Sequence, residues 1–137
     1  KEVGGADARI VLVSRDSSSG TFETWEELVM KKQKISPRAL LQASNGGIVQ
    51  VVANNKQAIG YIGFGYLGSN VKSVKIDNLA PTAESALSGK WPISRELYIF
   101  TNGAPKGDIK ALCDYLVDPR KGQKAVAEVG YIPLAKK

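Results

Sequence analysis

Seven consecutive positions, Arg15-Asp-Ser-Ser-Ser-Gly-Thr21, hold an arginine, a run of hydroxyls and a glycine. These residue types at this spacing suit the binding of an oxyanion. A guanidinium offers a planar fork of N–H donors. Ser17, Ser18, Ser19 and Thr21 offer O–H donors, and Gly20 lets a ligand come close to the backbone. The apolar run Ile10 to Val13 precedes the loop, and Phe22, Trp25, Leu28 and Val29 follow on one helical face. A strand that passes through a polar loop into a helix brings unpartnered N–H groups and the positive end of the helix dipole to one place. The chemistry expected here is anion binding, phosphate first. A plainer reading has Ser18 or Ser19 capping the helix and Arg15 solvated at a strand end. Glu23, Glu26 and Glu27 in the first turns suit the dipole but lower the local positive potential, so selectivity must come from directed donors.

Other motifs carry less. Gly63-Phe-Gly-Tyr-Leu-Gly68 matches a dinucleotide fingerprint in letters, but a strand-like Val71 to Ile76 stands where the helix should open. Ser69-Asn-Val-Lys72 matches S-x-x-K but precedes a strand pattern instead of opening a helix. Gly89-Lys90 lacks the upstream glycine of a P-loop. Ser44-Asn-Gly-Gly47 reads as a helix cap, with a second ligand contact as the alternative. Lys31, Lys32 and Lys34, and Arg120, Lys121 and Lys124, read as solvated basic faces, and no aromatics interleave with them as a nucleic-acid surface would require.

Composition bounds the rest. With 137 residues, 43% hydrophobic and 23% charged, the chain is an ordinary globular sequence long enough for a core. Its net charge of +6 favours anionic partners without choosing among them. The absence of histidine excludes Ser-His-Asp and Cys-His catalysis within the chain, and with it any imidazole metal site. The acidic residues show no EF-hand spacing, and no metal or cofactor is expected. Cys113 is the lone cysteine and falls on an apolar helix face, where packing accounts for it. No apolar run reaches the roughly 18–20 residues that span a bilayer. The start, Lys-Glu-Val-Gly-Gly, has no signal-peptide pattern and reads as a mature or excised piece.

The elements that must position these residues alternate. Strands are expected over 9–14, 58–62, 71–76 and 97–101. Helices are expected over 20–33, 37–42 (after a Ser36-Pro37 start), 48–54 and within 80–88. Ile109, Leu112, Cys113, Leu116 and Val117 follow the i, i+3, i+4, i+7, i+8 pattern of a further helix. Asp118-Pro119 restarts a helix that Gly130 ends, before an extended tail through Leu134. Alternation of this kind argues for α/β architecture.

Six motifs together resemble one family: Lys1-Glu-Val-Gly-Gly5, Ser14-Arg-Asp-Ser-Ser-Ser-Gly-Thr21, Ala58-Ile-Gly-Tyr61, Pro92-Ile-Ser-Arg-Glu-Leu97, Gly122-Gln123 and Gly130-Tyr-Ile-Pro-Leu134. In this order they resemble the C-terminal half of PstS-type phosphate receptors of ABC importers, in the periplasmic binding protein superfamily. The resemblance implies a type 2-like α/β lobe, a mixed sheet flanked by helices, with additional C-terminal helices. It implies a ligand-binding lobe over 1–95, and over 96–137 a returning strand and helices that pack against a first lobe. Arg15 would pair with phosphate, and Ser19, Gly20 and Thr21 would donate from the helix start. Asp16 and Ser17 lie where the family often has an acidic residue that orients the arginine. Phe22 departs from the arginine or polar residue common after Ser-Gly-Thr, and reads as packing. The implied protein is not an enzyme. It is periplasmic or held at the extracytoplasmic surface, and its partners are inorganic phosphate, an ABC permease, and either the other lobe or a second copy of the chain. A sensor or adhesion module that kept the fold while changing or losing its ligand is the alternative.

Overall fold

The computed structural model describes Gly5 and residues 7–134, so most of the Lys1–Gly5 motif lies outside the described residues. Two compact units divide the chain, one ending at Val74 and one beginning at Lys75. The expected boundary at residue 95 falls inside the second.

The first unit is built on a three-stranded parallel sheet. Val11–Arg15 (β1) leads to the helix Gly20–Leu28 (α1), Leu40–Gln42 (β2) to the helix Asn45–Asn54 (α2), and Ala58–Gly60 (β3) closes the set. The order is β2-β1-β3, with Val13 opposite Leu40 and Arg15 opposite Gln42 on one side, and Val11 opposite Ala58 and Val13 opposite Gly60 on the other. Pairing in this sheet is parallel throughout, so the α/β lobe is as expected while its sheet is parallel and not mixed. As the central strand β1 carries the buried Val13 and Ser14. Ile48 of α2 is 1% exposed and seals one face against β3. A Cβ on Gly60 would lie 2.7 Å from Ile48 Cγ2 and 3.1 Å from the Val13 carbonyl oxygen, so only glycine admits this approach. A short 3₁₀ turn, Phe64–Tyr66, follows in place of any nucleotide-binding helix.

Several expected elements differ. The helix expected over 37–42 is a turn and then β2. Ser36 Oγ accepts the Arg38 N–H at 3.3 Å and the Ser36 carbonyl accepts that of Ala39 at 3.0 Å, which spends the capping signal in one turn. Leu40 to Gln42 then pair with β1, tertiary pairing overriding helix propensity. Helix α1 stops at Leu28 and not at residue 33, where the chain reverses through Lys31 and Lys32, both left-handed. The run 71–76 forms no strand. Its end is the rim of a tight turn in which Ile76 and Leu79 exchange hydrogen bonds of 3.0 and 2.9 Å around Asp77 and Asn78. Both central residues have positive φ, as a type I′ turn demands.

The second unit holds Ala83–Leu87 (α3), Gly107–Val117 (α4) and Gly122–Glu128 (α5). Thr82 and Ser85 form a reciprocal capping box at the start of α3. Asp118 does not restart a helix. Its carboxylate accepts the Arg120 N–H at 2.7 Å and its carbonyl accepts those of Lys121 and Gln123, so a turn precedes α5. Gly130 ends α5 as expected. With φ of 85° it lets its own N–H reach the Ala127 carbonyl and that of Tyr131 reach Val126, a Schellman closure. The run 97–101 forms no strand among the described residues, and Phe100 is 91% exposed. Its run of apolar, β-branched and aromatic residues satisfied the sequence criterion for a strand, but a strand exists only with a hydrogen-bonded neighbour. No helix among the described residues is long and apolar enough to cross a membrane.

Candidate functional site

The carboxyl ends of β1 and β2 lie side by side, and each leads directly into a helix, so both helix N-termini rise from one edge of the sheet. Open α/β sheets hold ligands outside the carboxyl ends of their strands at the switch point of the strand order, which here lies between β1 and β3. At β1 the change of direction is tight. The Asp16 N–H stays on the sheet, donating to the Gln42 carbonyl at 3.3 Å, while the Asp16 carbonyl already accepts the Ser19 N–H at 3.2 Å. The sequence-predicted residues Arg15, Asp16, Ser17, Ser19, Gly20 and Thr21 thus occupy one turn and the helix start it feeds.

Ser19 is the N-cap of α1. Its Oγ accepts the N–H groups of Thr21 at 3.2 Å and Phe22 at 3.3 Å, and the residue is buried. Capping and ligand contact are compatible, because both N–H groups use oxygen lone pairs and the hydroxyl hydrogen stays available. The Gly20 N–H takes no partner among the described residues, and the side chain of Thr21 makes no hydrogen bond there. Ser19→Ala is expected to destabilise the first unit by about 1 kcal/mol, and Ser19→Gly by only a few tenths. Denaturant unfolding reads this directly, and equal midpoints for the alanine variant and the unmodified chain would refute the cap.

Arg15 is oriented by backbone. Its Nε donates to the Gln42 carbonyl at 3.2 Å and its Nη2 to the Ala43 carbonyl at 3.0 Å. The side-on edge of the guanidinium therefore clasps the end of β2, and the end-on edge keeps its N–H groups. Asp16 does not hold the arginine by a hydrogen bond. Its Oδ1 accepts the Ser18 N–H at 3.0 Å and the Ser18 hydroxyl in a short contact. Those two bonds, the hydroxyl's first, hold the Asp16 carboxyl below its ordinary range, with the charge of Arg15 a smaller cause. Ser17 is exposed and is placed by the same turn.

Two residues outside the predicted set complete the surroundings. Tyr61, just after β3, places its hydroxyl 2.7 Å from Ser14 Oγ and 3.3 Å from the Arg15 nitrogen. Its ring stacks on Trp25 of α1, centroids 4.5 Å apart and planes within 3°. Sequence reading had Tyr61 within a family motif and Trp25 on an apolar face, with no signal that they meet. The Ser44 cap is as expected, its Oγ accepting the Gly47 N–H at 3.0 Å. Asn45 Oδ1 accepts the Gly63 N–H at 3.3 Å, so this second helix start is used structurally.

A depression of about 520 Å³ opens beside the loop, lined by Ser17, Ser18, Ser19, Gly20, Phe22, Glu23 and Glu26. Two carboxylates on that flank oppose an anion, and neither Arg15 nor Thr21 lines it. Ser19 and Gly20 reach this depression while the Arg15 guanidinium lies at the end of β2, so an anion there must be held by directed donors against the nearby negative charge. Among the described residues no cluster of His, Cys, Asp or Glu could hold a metal ion.

A family model described as the PBP superfamily domain matches residues 1–120. The phosphate-binding protein PstS of Bacillus subtilis is 32% identical over 135 residues, which are 98% of this chain and 45% of that protein. PstS of Pseudomonas aeruginosa is 34% identical over 137 residues, covering 93% of this chain and 42% of its own. Among solved structures, a phosphate-binding protein of a phosphate ABC transporter from Streptococcus pneumoniae superposes with a TM-score of 0.86 at 25% identity, over 95% of this chain and 53% of that one. A phosphate ABC transporter substrate-binding protein from Clostridium perfringens, solved with bound phosphate, gives 0.80 at 32% identity, over 98% and 56%. The chain spans about half the length of the relatives it matches. With a superfamily match over most of its length and the α/β lobe of phosphate-binding receptors as its fold, this chain belongs to the periplasmic binding protein superfamily.

Proposed function

We propose that this chain binds inorganic phosphate, as the ligand-binding lobe of a receptor that serves an ABC phosphate importer. The observation that carries the reading is the donor set at the end of β1. The end-on edge of Arg15, the Gly20 N–H, and the hydroxyls of Ser19 and Thr21 are each left for a ligand by the hydrogen bonds around them. The Gln42 and Ala43 carbonyls fix the guanidinium before an anion arrives, so part of the cost of ordering is already met. Asp16 and Ser17 support the turn. The role is capture, with no bond made or broken in the ligand, and it places the protein outside the cytoplasmic membrane.

Hydrogen bonds to a charged group contribute roughly 1.5–3 kcal/mol each, and association costs several kcal/mol, so one lobe gives partial affinity. The remainder comes from a second surface across the crevice, supplied by a first lobe or by another copy of the chain. Residues 96–137 form the part that packs against that lobe in this reading. The bare run Leu97 to Phe100, between 53% and 91% exposed, supports it, since such side chains are ordinarily covered. The test is calorimetric titration of the chain with phosphate at low salt, with sulfate as the control. Phosphate heat that exceeds any sulfate heat is expected, and it should sharpen when a first lobe from a PstS protein is added in trans. A folded chain that gives no phosphate heat, alone or with that lobe, would favour the sensor or adhesion alternative.

A further inference from the structure

The structure assigns Tyr61 as the positioning residue that sets Arg15 for the anion, a role that rests on the phosphate reading above. Strand β3 stops at Gly60, opposite Val13, so Arg15 extends beyond the ladder on that side. Its N–H and carbonyl there need partners that no strand supplies. Side-chain hydroxyls supply them. Ser14 Oγ donates to the Arg15 carbonyl at 3.0 Å, and the Arg15 N–H donates to the Tyr61 hydroxyl at 3.3 Å. A serine has one hydroxyl hydrogen, and the Arg15 carbonyl takes it. In the 2.7 Å contact between Ser14 Oγ and the Tyr61 hydroxyl, tyrosine is therefore the donor. The three bonds run head to tail in a closed ring: Ser14 to Arg15, Arg15 to Tyr61, Tyr61 to Ser14. Each donor is used once, and the two hydroxyls, each of which both accepts and donates, polarise one another as links of a chain do.

The ring pins the backbone of Arg15 from the β3 side, while the Gln42 and Ala43 carbonyls hold its guanidinium from the β2 side. The same tyrosine stacks flat on Trp25, which lies one helical turn and a little more beyond Gly20. Tyr61 thus touches both halves of the donor set, the strand end that bears the arginine and the helix that bears the N–H and hydroxyl donors. Loss of its hydroxyl should loosen Arg15 while the ring stack remains.

The test compares the 137-residue chain with Tyr61→Phe, and with Ser14→Ala as a second, nearly isosteric way to open the ring. The first readout is the exchange rate of the Arg15 Nε–H by NMR, a proton neither substitution touches and one that needs no ligand. The second is the phosphate dissociation constant by calorimetry. Trp25 fluorescence, read with Trp91→Phe present in every chain compared, checks that the stack persists. Both variants are expected to speed Nε–H exchange at least about fivefold and to weaken phosphate by roughly 5–10-fold, the value of one hydrogen bond or slightly more. A purely structural tyrosine would lower the unfolding midpoint and leave Nε–H exchange in the folded state unchanged. If the unmodified chain binds phosphate, either quantity staying at its unmodified value overturns the positioning role and leaves the phosphate reading standing. If the unmodified chain binds no phosphate, alone or with a first lobe added in trans, that reading fails by itself. Nε–H exchange then decides alone whether Tyr61 sets the guanidinium, faster exchange in the variants supporting it and equal exchange overturning it.

Discussion

Arg15→Ala is expected to weaken the proposed phosphate binding by at least about 100-fold, the largest effect of any single substitution at the site. Two losses combine. The direct one is the end-on edge of the guanidinium, whose charge-assisted bonds to an oxyanion are worth roughly 1.5–3 kcal/mol each. The indirect one is the clasp on Gln42 and Ala43, which holds the end of β2 beside β1 through bonds of 3.2 and 3.0 Å. Arg15→Lys separates the two. An ammonium keeps the charge but cannot hold two carbonyls with one edge and an anion with the other, so it should recover only part of the affinity. Calorimetry on the three chains at equal, low ionic strength measures both effects, since salt screens an exposed pair. Wild-type affinity in the alanine variant would show that phosphate, if bound, is held elsewhere. Full recovery with lysine would show that charge alone matters and that the fork is incidental.

The candidate site was legible because its parts are contiguous. An apolar β-branched run, a loop of hydroxyls with one glycine and an apolar helical face state strand, turn and helix in one short stretch, and the structure forms β1 and α1 there. The cap at Ser19 was legible for the same reason, since the capping bond reaches only two and three residues ahead. What could not be read is everything carried by distant chain. The carbonyls that orient Arg15 come from residues 27 and 28 positions later. The hydroxyl of Tyr61 comes from 46 positions later. A carbonyl has no side-chain identity, so no motif can announce it, and a tyrosine in a strand-like motif reads as core. An acidic orienting residue was expected for the arginine, and the backbone does that work while Asp16 ties its own turn to Ser18.

Two of the misread elements share one cause. Residues 37–42 carry a good helix start, but β1 lacks a neighbour on that side until Leu40 to Gln42 arrive, and a central strand with bare N–H and carbonyl groups costs more than a short helix returns. Residues 97–101 carry the opposite mismatch, a strand pattern with no pairing partner among the described residues. Local pattern reports what a segment could be. Pairing across the chain decides, and for β structure that information is non-local. Helices α4 and α5 were legible to within a turn because their bonds are local, and the Schellman glycine at 130 fell where its φ required it.

Gly122 marks the place where two of those helices come too close for any side chain, and Gly122→Ala should be the most destabilising conservative change in the second unit. An added Cβ would lie 2.5 Å from Leu116 Cα, 2.5 Å from the Tyr115 carbonyl oxygen and 2.7 Å from that of Leu116. All three are backbone atoms at the end of α4, so no rotamer change relieves the clash. Relief requires moving α5, and the next residue resists that. Buried Gln123 donates from Nε2 to the Leu116 carbonyl at 2.7 Å and accepts the Leu134 N–H on Oε1 at 2.8 Å, stapling the end of α4 and the extended tail together. The glycine permits the approach and the glutamine uses it, which explains why the two stand together in the sequence. Overpacking against backbone, with one or both of those bonds lost, should cost about 2–4 kcal/mol. For a unit of this size that lowers the thermal midpoint by about 10 °C or more. Gln123→Leu alone should cost less, and adding it to Gly122→Ala should cost little further, because the displaced helix has already surrendered the staple. Thermal unfolding of the four chains completes the cycle. A Gly122→Ala midpoint equal to that of the unmodified chain, or strict additivity of the pair, would show that the close approach and the staple are independent.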